Sequence, residues 1–358
     1  VPLNTRYRTS DVAYTVKQSD SVTWISMPHS GPVDYLSMLR ENLPGITGQD
    51  PYALDCAEFP ALRRVVLFGA APEPGMLAWD EVLRAGNQVS EAELSARAEA
   101  ADPDDTVIIC YTSGTTGHPK GVMHSHIIIR NQIDRINRFG ITFEDVIINN
   151  LPMFHLYGYS ESAMTAILSG ARQVMMESFD ALETLHLIEA ERATIIHGFD
   201  THYKDLFDSQ ALEGCDVSSL RLCTFPSGME SSIAISRRTQ KVFAPTISGW
   251  GMTETGIVTA TYPGDPAEKT FETDGRALPH QQVRVVGDDG ETLPAGESGR
   301  LQTRGPTCFV GYMNRPDAYD LTNELWFETG DNAYMDTDGY IRITGRSKDI
   351  IIRGGENV

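Results

Sequence analysis

The sequence predicts an α/β fold, with parallel-sheet αβ subdomains followed by a small antiparallel β subdomain. Three observations carry this. From about residue 10 to 260, short β-branched runs alternate with helical patterns, the sign of parallel strands covered by crossover helices. After about residue 270, HQQVRVVGDDGETLPAGESGRLQTRG alternates apolar and polar residues and is broken by Asp-Gly and Pro-Ala-Gly turns. The chain has 358 residues, 41% hydrophobic and 22% charged, enough to bury a sizeable core.

Taken in order, the predicted strands are VTWISM (22–27), RVVLFG (64–69), TVIICY (106–111), VIINNL (146–151), RQVMM (172–176), TIIHGF (194–199) and LRLCTF (220–225). Helices are expected at Pro32 to Asn42 and at Ala181 to Arg192, the second opened by Asp180 as N-cap with Glu183 three residues on. Pro72 to Pro74 and the acidic EAADPDD (99–105) read as loops. The expected organisation is αβαβ sheet subdomains over 1–265, a β-rich subdomain over 266–344, and a hinge over 345–358. Such a scaffold does not by itself specify chemistry.

With 29 basic against 49 acidic residues the formal charge is −20, which repels nucleic acid and anionic membranes and requires a local site for any polyanionic ligand. Five widely spaced cysteines (Cys56, Cys110, Cys215, Cys223 and Cys308) contain no CxxC pair and no dense disulfide framework, so a reducing cytoplasm is expected. No apolar run approaches the roughly 20 residues needed to span a bilayer, and VPLNTRYRTS lacks the regions of a signal peptide. The start at Val1 and the end within a glycine-rich turn read as those of a fragment. Oligomeric state is open, a homodimer included.

The strongest motif is TVIICYTSGTTGHPKGVMHSH (106–126), a buried strand running into Thr112, Ser113, Gly114, Thr115, Thr116 and Gly117, then Pro119, Lys120 and Gly121. Glycines let the backbone approach a phosphate, hydroxyls and free N–H groups donate to its oxygens, and lysine supplies a point charge. It is a phosphate cradle, but not the P-loop of the common nucleotide hydrolases, since Lys120 is followed by Gly121 rather than Ser or Thr.

At these residues the sequence resembles the adenylate-forming superfamily of acyl-CoA synthetases, firefly-type luciferases and peptide-synthetase adenylation domains, and is most similar to fatty-acyl-CoA ligases. The resemblance implies the large N-terminal domain of such an enzyme, with Thr112, Ser113, Thr115, Thr116 and Lys120 holding the pyrophosphate end of ATP. It continues through further segments in the family's order. LPMFHLYG (151–158) implies His155 near the acyl carboxylate; alone, His155 would read as a polar residue at a strand end. SGWGMTET (248–255) resembles the adenine and magnesium segment. It implies Gly249, Trp250, Gly251 and Met252 around the nucleotide, Trp250 offering adenine a flat face, Thr253 at the α-phosphate, and Glu254, with Thr112, on Mg²⁺. WFETGD (326–331) and YIRITGRSKDIIIRGGENV (340–358) imply Asp331 on the ribose hydroxyls, Arg346 on ribose or phosphates, and Lys348 at the hinge.

Two places depart from the family pattern. PSGMESS (226–232) occupies the adenine wall, to which Gly228 and Met229 are assigned, and Met229 and Glu230 make it bulkier and more acidic than usual. In GFDTHY (198–203), Asp200 and His202 replace a proline and an apolar residue on a helix expected to flank the acyl pocket, which hints at a polar substrate or else marks a solvent-facing surface. Phe179 and Asp180 resemble an amine-binding aspartate motif, but their setting matches a helix start, favouring a non-amino acid. His124 and His126 read as a strand edge, with no further ligand pair for zinc.

The implied chemistry is ATP-dependent conversion of a carboxylic acid to an acyl-adenylate, then thioester formation with coenzyme A. The alternatives are an acyl-AMP ligase serving a carrier protein and an inactive nucleotide-binding relative. The family's mobile C-terminal domain, with an essential lysine, lies beyond the residues given. Met153, Tyr157, Phe199 and Met252 are expected to shape the acid pocket.

Overall fold

In the computed structural model, residues 1–358 are described except 70, 72, 113–117, 227–229, 320, 322–324, 347–351, 354–355 and 358. The largest sheet has seven strands, in the spatial order Arg276–Ala277, Gly256–Ala260, Thr246–Met252, Leu222–Pro226, Ile195–His197, Val146–Asn149 and Arg172–Met175. The last five pair in parallel, whereas Thr246–Met252 turns back into Gly256–Ala260 as an antiparallel hairpin.

These short apolar runs are strands buried on both faces, because side chains alternate with period two. Ile148, Ile196, Cys223 and Phe225 enter one core with Leu185, Ile188, Tyr203, Leu206 and Phe243. Their chain neighbours Ile147, Ile195 and Leu222 enter the opposite core with Phe139, Ile141 and Ala166. Helices Ala181–Glu191, Asp200–Asp208 and Glu230–Val242 cover the first face, and Ile129–Phe139 covers the second.

The strand Thr106–Thr112 departs from the parallel expectation. It pairs antiparallel with Lys120–Ser125, which pairs in turn with Gly311–Tyr312, in a separate three-stranded sheet. Only residues 113–119 join the first two, too few for a parallel crossover, which needs a dozen or more. A parallel three-stranded sheet of Thr23–Ser26, Arg64–Leu67 and Leu77–Ala78 has its own core around Trp24, Leu39, Leu62 and Val65.

Helix Ala181–Glu191 begins where expected: Asp180 Oδ1 accepts from the Glu183 N–H at 2.8 Å, and Arg192 closes it in the left-handed conformation. The other expected helix starts later, at Tyr35, because His29–Ser30 and Val33–Asp34 form a small hairpin and Asp34 caps the Ser37 N–H.

Beyond residue 280, Gln282–Val286, Gly299–Arg304, Phe327–Met335 and Ile341–Arg346 form a four-stranded antiparallel sheet. Val285, Leu301, Ala333 and Ile341 pack against Trp250 and Val258 of the seven-stranded sheet, so the two sheets share a core. Among the described residues no helix is long and apolar enough to cross a membrane.

Candidate active site

The segments that converge follow the carboxyl ends of neighbouring parallel strands: His155 and Tyr157 after Val146–Asn149, Phe199 after Ile195–His197, and Thr253 and Glu254 after Thr246–Met252. An open α/β sheet leaves its ligand crevice at that edge. A cavity there is lined by His155, Tyr157, Phe199, Gly249, Trp250 and Thr253, and also by Gly251 and Met252. Of the four residues expected to shape an acid pocket, Tyr157, Phe199 and Met252 line it. Met153 is turned aside, its sulfur accepting from Asn149 Nδ2.

Thr253 and Glu254 are clamped from both sides. The Thr253 carbonyl meets His124 Nε2 at 2.6 Å, and the Glu254 carbonyl accepts from the Phe309 N–H at 2.7 Å. His124 therefore is not an edge residue: it lies buried in the middle strand of its sheet, and burial lowers its pKa, so a neutral ring donates to the Thr253 carbonyl. Among the described residues no group of histidine, cysteine and carboxylate side chains could hold a metal by itself.

Glu254 is buried and accepts from the Tyr312 hydroxyl at 2.9 Å. Lys120 Nζ sits 4.7 Å from the centre of the same tyrosine ring, a cation–π contact. Burial pushes the Glu254 carboxyl up, against the Tyr312 hydrogen bond and the pull of Lys120 and Arg346. Tyr312 was not singled out by sequence reading; it lies 192 residues from Lys120 along the chain, and only pairing of Gly311–Tyr312 with Lys120–Ser125 brings it there. Thr112 is the cross-strand partner of Lys120. Ser113, Gly114, Thr115, Thr116 and Gly117 lie outside the described residues, as do Gly228, Met229 and Lys348.

Asp331 and Arg346 face each other across adjacent antiparallel strands, and Arg346 Nε meets Asp331 Oδ1 at 2.8 Å. The Trp250 indole N–H donates to Asp331 Oδ2 at 2.9 Å. Trp250 is thus a cavity wall and a hydrogen-bond donor, buried at 7% exposure, rather than a freely exposed ring. Burial raises the Asp331 carboxyl while Arg346 and Trp250 oppose it. A carboxylate offers about four lone-pair sites, so acceptor capacity remains beside these two bonds.

His155 Nδ1 accepts from the Tyr157 N–H at 3.3 Å, and burial lowers the pKa of the ring. That bond assigns the proton of the neutral ring to Nε2, a donor suited to an oxygen ligand. Gly249 and Gly251 serve the hairpin itself: a Cβ at Gly251 would lie 2.4 Å from the Gly256 carbonyl oxygen, and one at Gly249 would lie 2.7 Å from that of Thr259.

Asp200 and His202 do not line the cavity beside Phe199. His202 Nδ1 caps its own helix by accepting from the Phe199 N–H at 3.0 Å, and its ring packs edge-on against Phe179. The acidic and basic side chains in the cavity wall are instead Glu161 and Arg135, which sequence reading did not identify. They carry no sequence motif: Arg135 lies on the helix Ile129–Phe139 and Glu161 on the π-helical turn Tyr159–Met164.

The model of the AMP-binding enzyme family matches residues 1–313. YngI of Bacillus subtilis (strain 168), provisionally named an acyl-CoA synthetase, is 32% identical over 365 residues, covering 100% of this chain and 66% of the relative. The medium-chain fatty-acid–CoA ligase of Escherichia coli (strain K12) is 35% identical over 260 residues, covering 71% of this chain and 45% of the relative. Among solved structures, ATP-bound MatB from Rhodopseudomonas palustris superposes with a TM-score of 0.77 at 26% identity, covering 100% of this chain and 65% of that one. The chain thus spans two thirds or less of the length of these relatives. The strand Thr106–Thr112 and Lys120, the clamped Thr253 and Glu254, and most of the sheet framework around them fall within the matched stretch, and the chain belongs to the AMP-binding enzyme family.

Proposed function

We propose that the full-length protein activates a carboxylic acid with ATP to an acyl-adenylate and pyrophosphate, then transfers the acyl group to the thiol of coenzyme A with release of AMP. The observation that carries this reading is that Thr253 and His155 line one cavity, while Glu254, the next residue after Thr253, shares Tyr312 with Lys120. Attack of the carboxylate on the α-phosphorus needs no protein nucleophile. It needs the two reactants held in line and the charge on the transferring group stabilised.

In this reading Lys120, with Thr112 and the loop residues Ser113, Gly114, Thr115, Thr116 and Gly117, holds the phosphates. Thr253 donates to the α-phosphate, and the His155 Nε2–H orients an oxygen of the acid. Asp331 accepts from the ribose hydroxyls with Arg346 alongside, and Trp250, Gly249, Gly251, Met252, Gly228 and Met229 enclose the base. Magnesium usually takes one or two carboxylates and completes its shell with phosphate oxygens and water. Glu254, a single buried carboxylate close to the lysine, suits that arrangement with Thr112, and the ion would offset phosphate charge. Fatty or related non-amino acids are the proposed substrates, a homodimer and a reducing cytoplasm the proposed setting, and 1–265, 266–344 and 345–358 the proposed divisions. Asp180 supports the non-amino reading, because its side chain is committed to a helix cap.

The test incubates the full-length protein with ATP, Mg²⁺ and a panel of carboxylic acids, with and without coenzyme A, following pyrophosphate, AMP and thioester together. Acid-dependent pyrophosphate with thioester supports the ligase. Pyrophosphate without consumption of coenzyme A points to carrier-protein loading, and no pyrophosphate above the acid-free control overturns the reading.

A further inference from the structure

The cavity wall is largely apolar and aromatic, with Leu156, Phe199, Phe225, Ile247 and Ile257. Into it are built Arg135, from helix Ile129–Phe139, and Glu161, from the π-helical turn Tyr159–Met164. Both side chains are 2% exposed and form an ion pair. Arg135 Nη1 has no hydrogen-bond partner among the described residues.

A buried pair of this kind is poorly explained by stability, since apolar residues of similar volume in its place are often neutral or stabilising. A buried N–H left unpaired carries its full desolvation cost, so a polar ligand atom completes the site at a gain. π-Helical turns recur at functional sites, and this one carries Ser160 and Glu161 into the cavity wall.

We infer that the acid bound here carries a neutral hydrogen-bond acceptor on its tail, a keto oxygen, which accepts from the Arg135 guanidinium. This rests on the acyl reading of the cavity given above. A neutral acceptor is favoured over a second carboxylate because Glu161 already compensates the guanidinium, and another anion would face Glu161 without a free cation. The two cavity-lining hydroxyls nearby are already engaged: Tyr157 Oη and Thr224 Oγ1 are 2.9 Å apart, and Thr224 Oγ1 also lies 2.7 Å from His197 Nδ1. The open valence is a donor, so the ligand atom is an acceptor. Glu161 lies six residues beyond His155, on the order of 9 Å along the helix axis, which sets the keto group well down the tail from the reacting carboxylate.

The test measures acid-dependent pyrophosphate release by the full-length protein with straight-chain saturated acids, matched acids whose keto group is moved along the tail, and matched ω-carboxy acids. A keto acid at one position should exceed the plain acid of equal length in kcat/KM by roughly 10-fold or more. In the double variant R135M/E161L, which removes both charges at similar volume, that ratio should fall to about one. Should the double variant melt early, Arg135→Lys, which keeps the charge but loses the planar fork, should lower the same ratio. Equal rates for plain and keto acids, as a water on Arg135 would give, overturn the inference. So do a preference for the ω-carboxy acids or a keto preference that survives in the variants. Plain acids turning over without a keto preference defeats this inference alone, whereas no turnover with any acid defeats the ligase reading with it.

Discussion

Thr253 and Glu254 owe their positions to His124 and Tyr312, partners 129 and 58 residues away. Glu254→Gln in the full-length protein keeps the size and removes the charge, so kcat for acid-dependent pyrophosphate release should fall about 10²- to 10³-fold, as when one preorganised group at a developing charge is lost. Tyr312→Phe should cost less, about 10-fold, because the carboxylate loses one hydrogen bond and Lys120 keeps an aromatic face. Steady-state kinetics on both variants checks the order, and a Tyr312→Phe enzyme as impaired as Glu254→Gln would mean that the hydroxyl has a direct part. The candidate residues His155, Trp250 and Thr253 were legible in the sequence because they fall in contiguous local runs, and they line one cavity. His124, Tyr312, Arg135 and Glu161 were not, because each acts through a contact that only chain folding creates.

At the scale of elements, local chemistry was readable where one segment holds both partners. Asp180 and Glu183 define a helix start within four residues, and Asp180→Ala should cost about 1 kcal/mol of stability, measured by urea unfolding, while leaving pyrophosphate release unchanged. Loss of activity instead would return Asp180 to the substrate site as an amine ligand. The strand Thr106–Thr112 was readable as a strand but not in its direction, which the short connection to Lys120 decides. At the end of Ile195–His197, burial lowers His197 to about 3 and nearby Arg135 adds to the shift. An unfolded histidine titrates near 6.5, so the stability tied to the neutral ring is fully present above that pH and is lost as pH falls toward the folded value. Unfolding free energy should therefore decline below pH 6.5 with a share from His197 of up to about 1.4 kcal/mol per pH unit. His197→Gln should flatten the profile between pH 6.5 and 5 by that share, and an unchanged slope would show that His197 is free to protonate in the folded protein.

For the whole molecule, Trp250 is the joint. It packs with Val258 of the seven-stranded sheet and with Val285, Leu301, Ala333 and Ile341 of the antiparallel sheet, and its N–H holds Asp331 between them. Trp250→Phe keeps an aromatic ring in that core and removes the N–H, so the KM for ATP should rise several-fold, with stability lowered by about 1–3 kcal/mol for the lost volume and the lost buried hydrogen bond. Nucleotide titration alongside thermal melting checks it, and an unchanged KM would detach Asp331 from the nucleotide. The sequence by itself determined the α/β class, the strand and turn alternation and the family resemblance, since these are written in local periodicity and contiguous motifs. Tertiary structure alone decided that Asp331 meets both Trp250 and Arg346, that Lys120 and Glu254 share Tyr312, and that the cavity holds a buried ion pair rather than Asp200 and His202. The physical reason is that register between strands and packing between sheets fix which distant side chains meet, and neither is encoded in the spacing of residues along one segment.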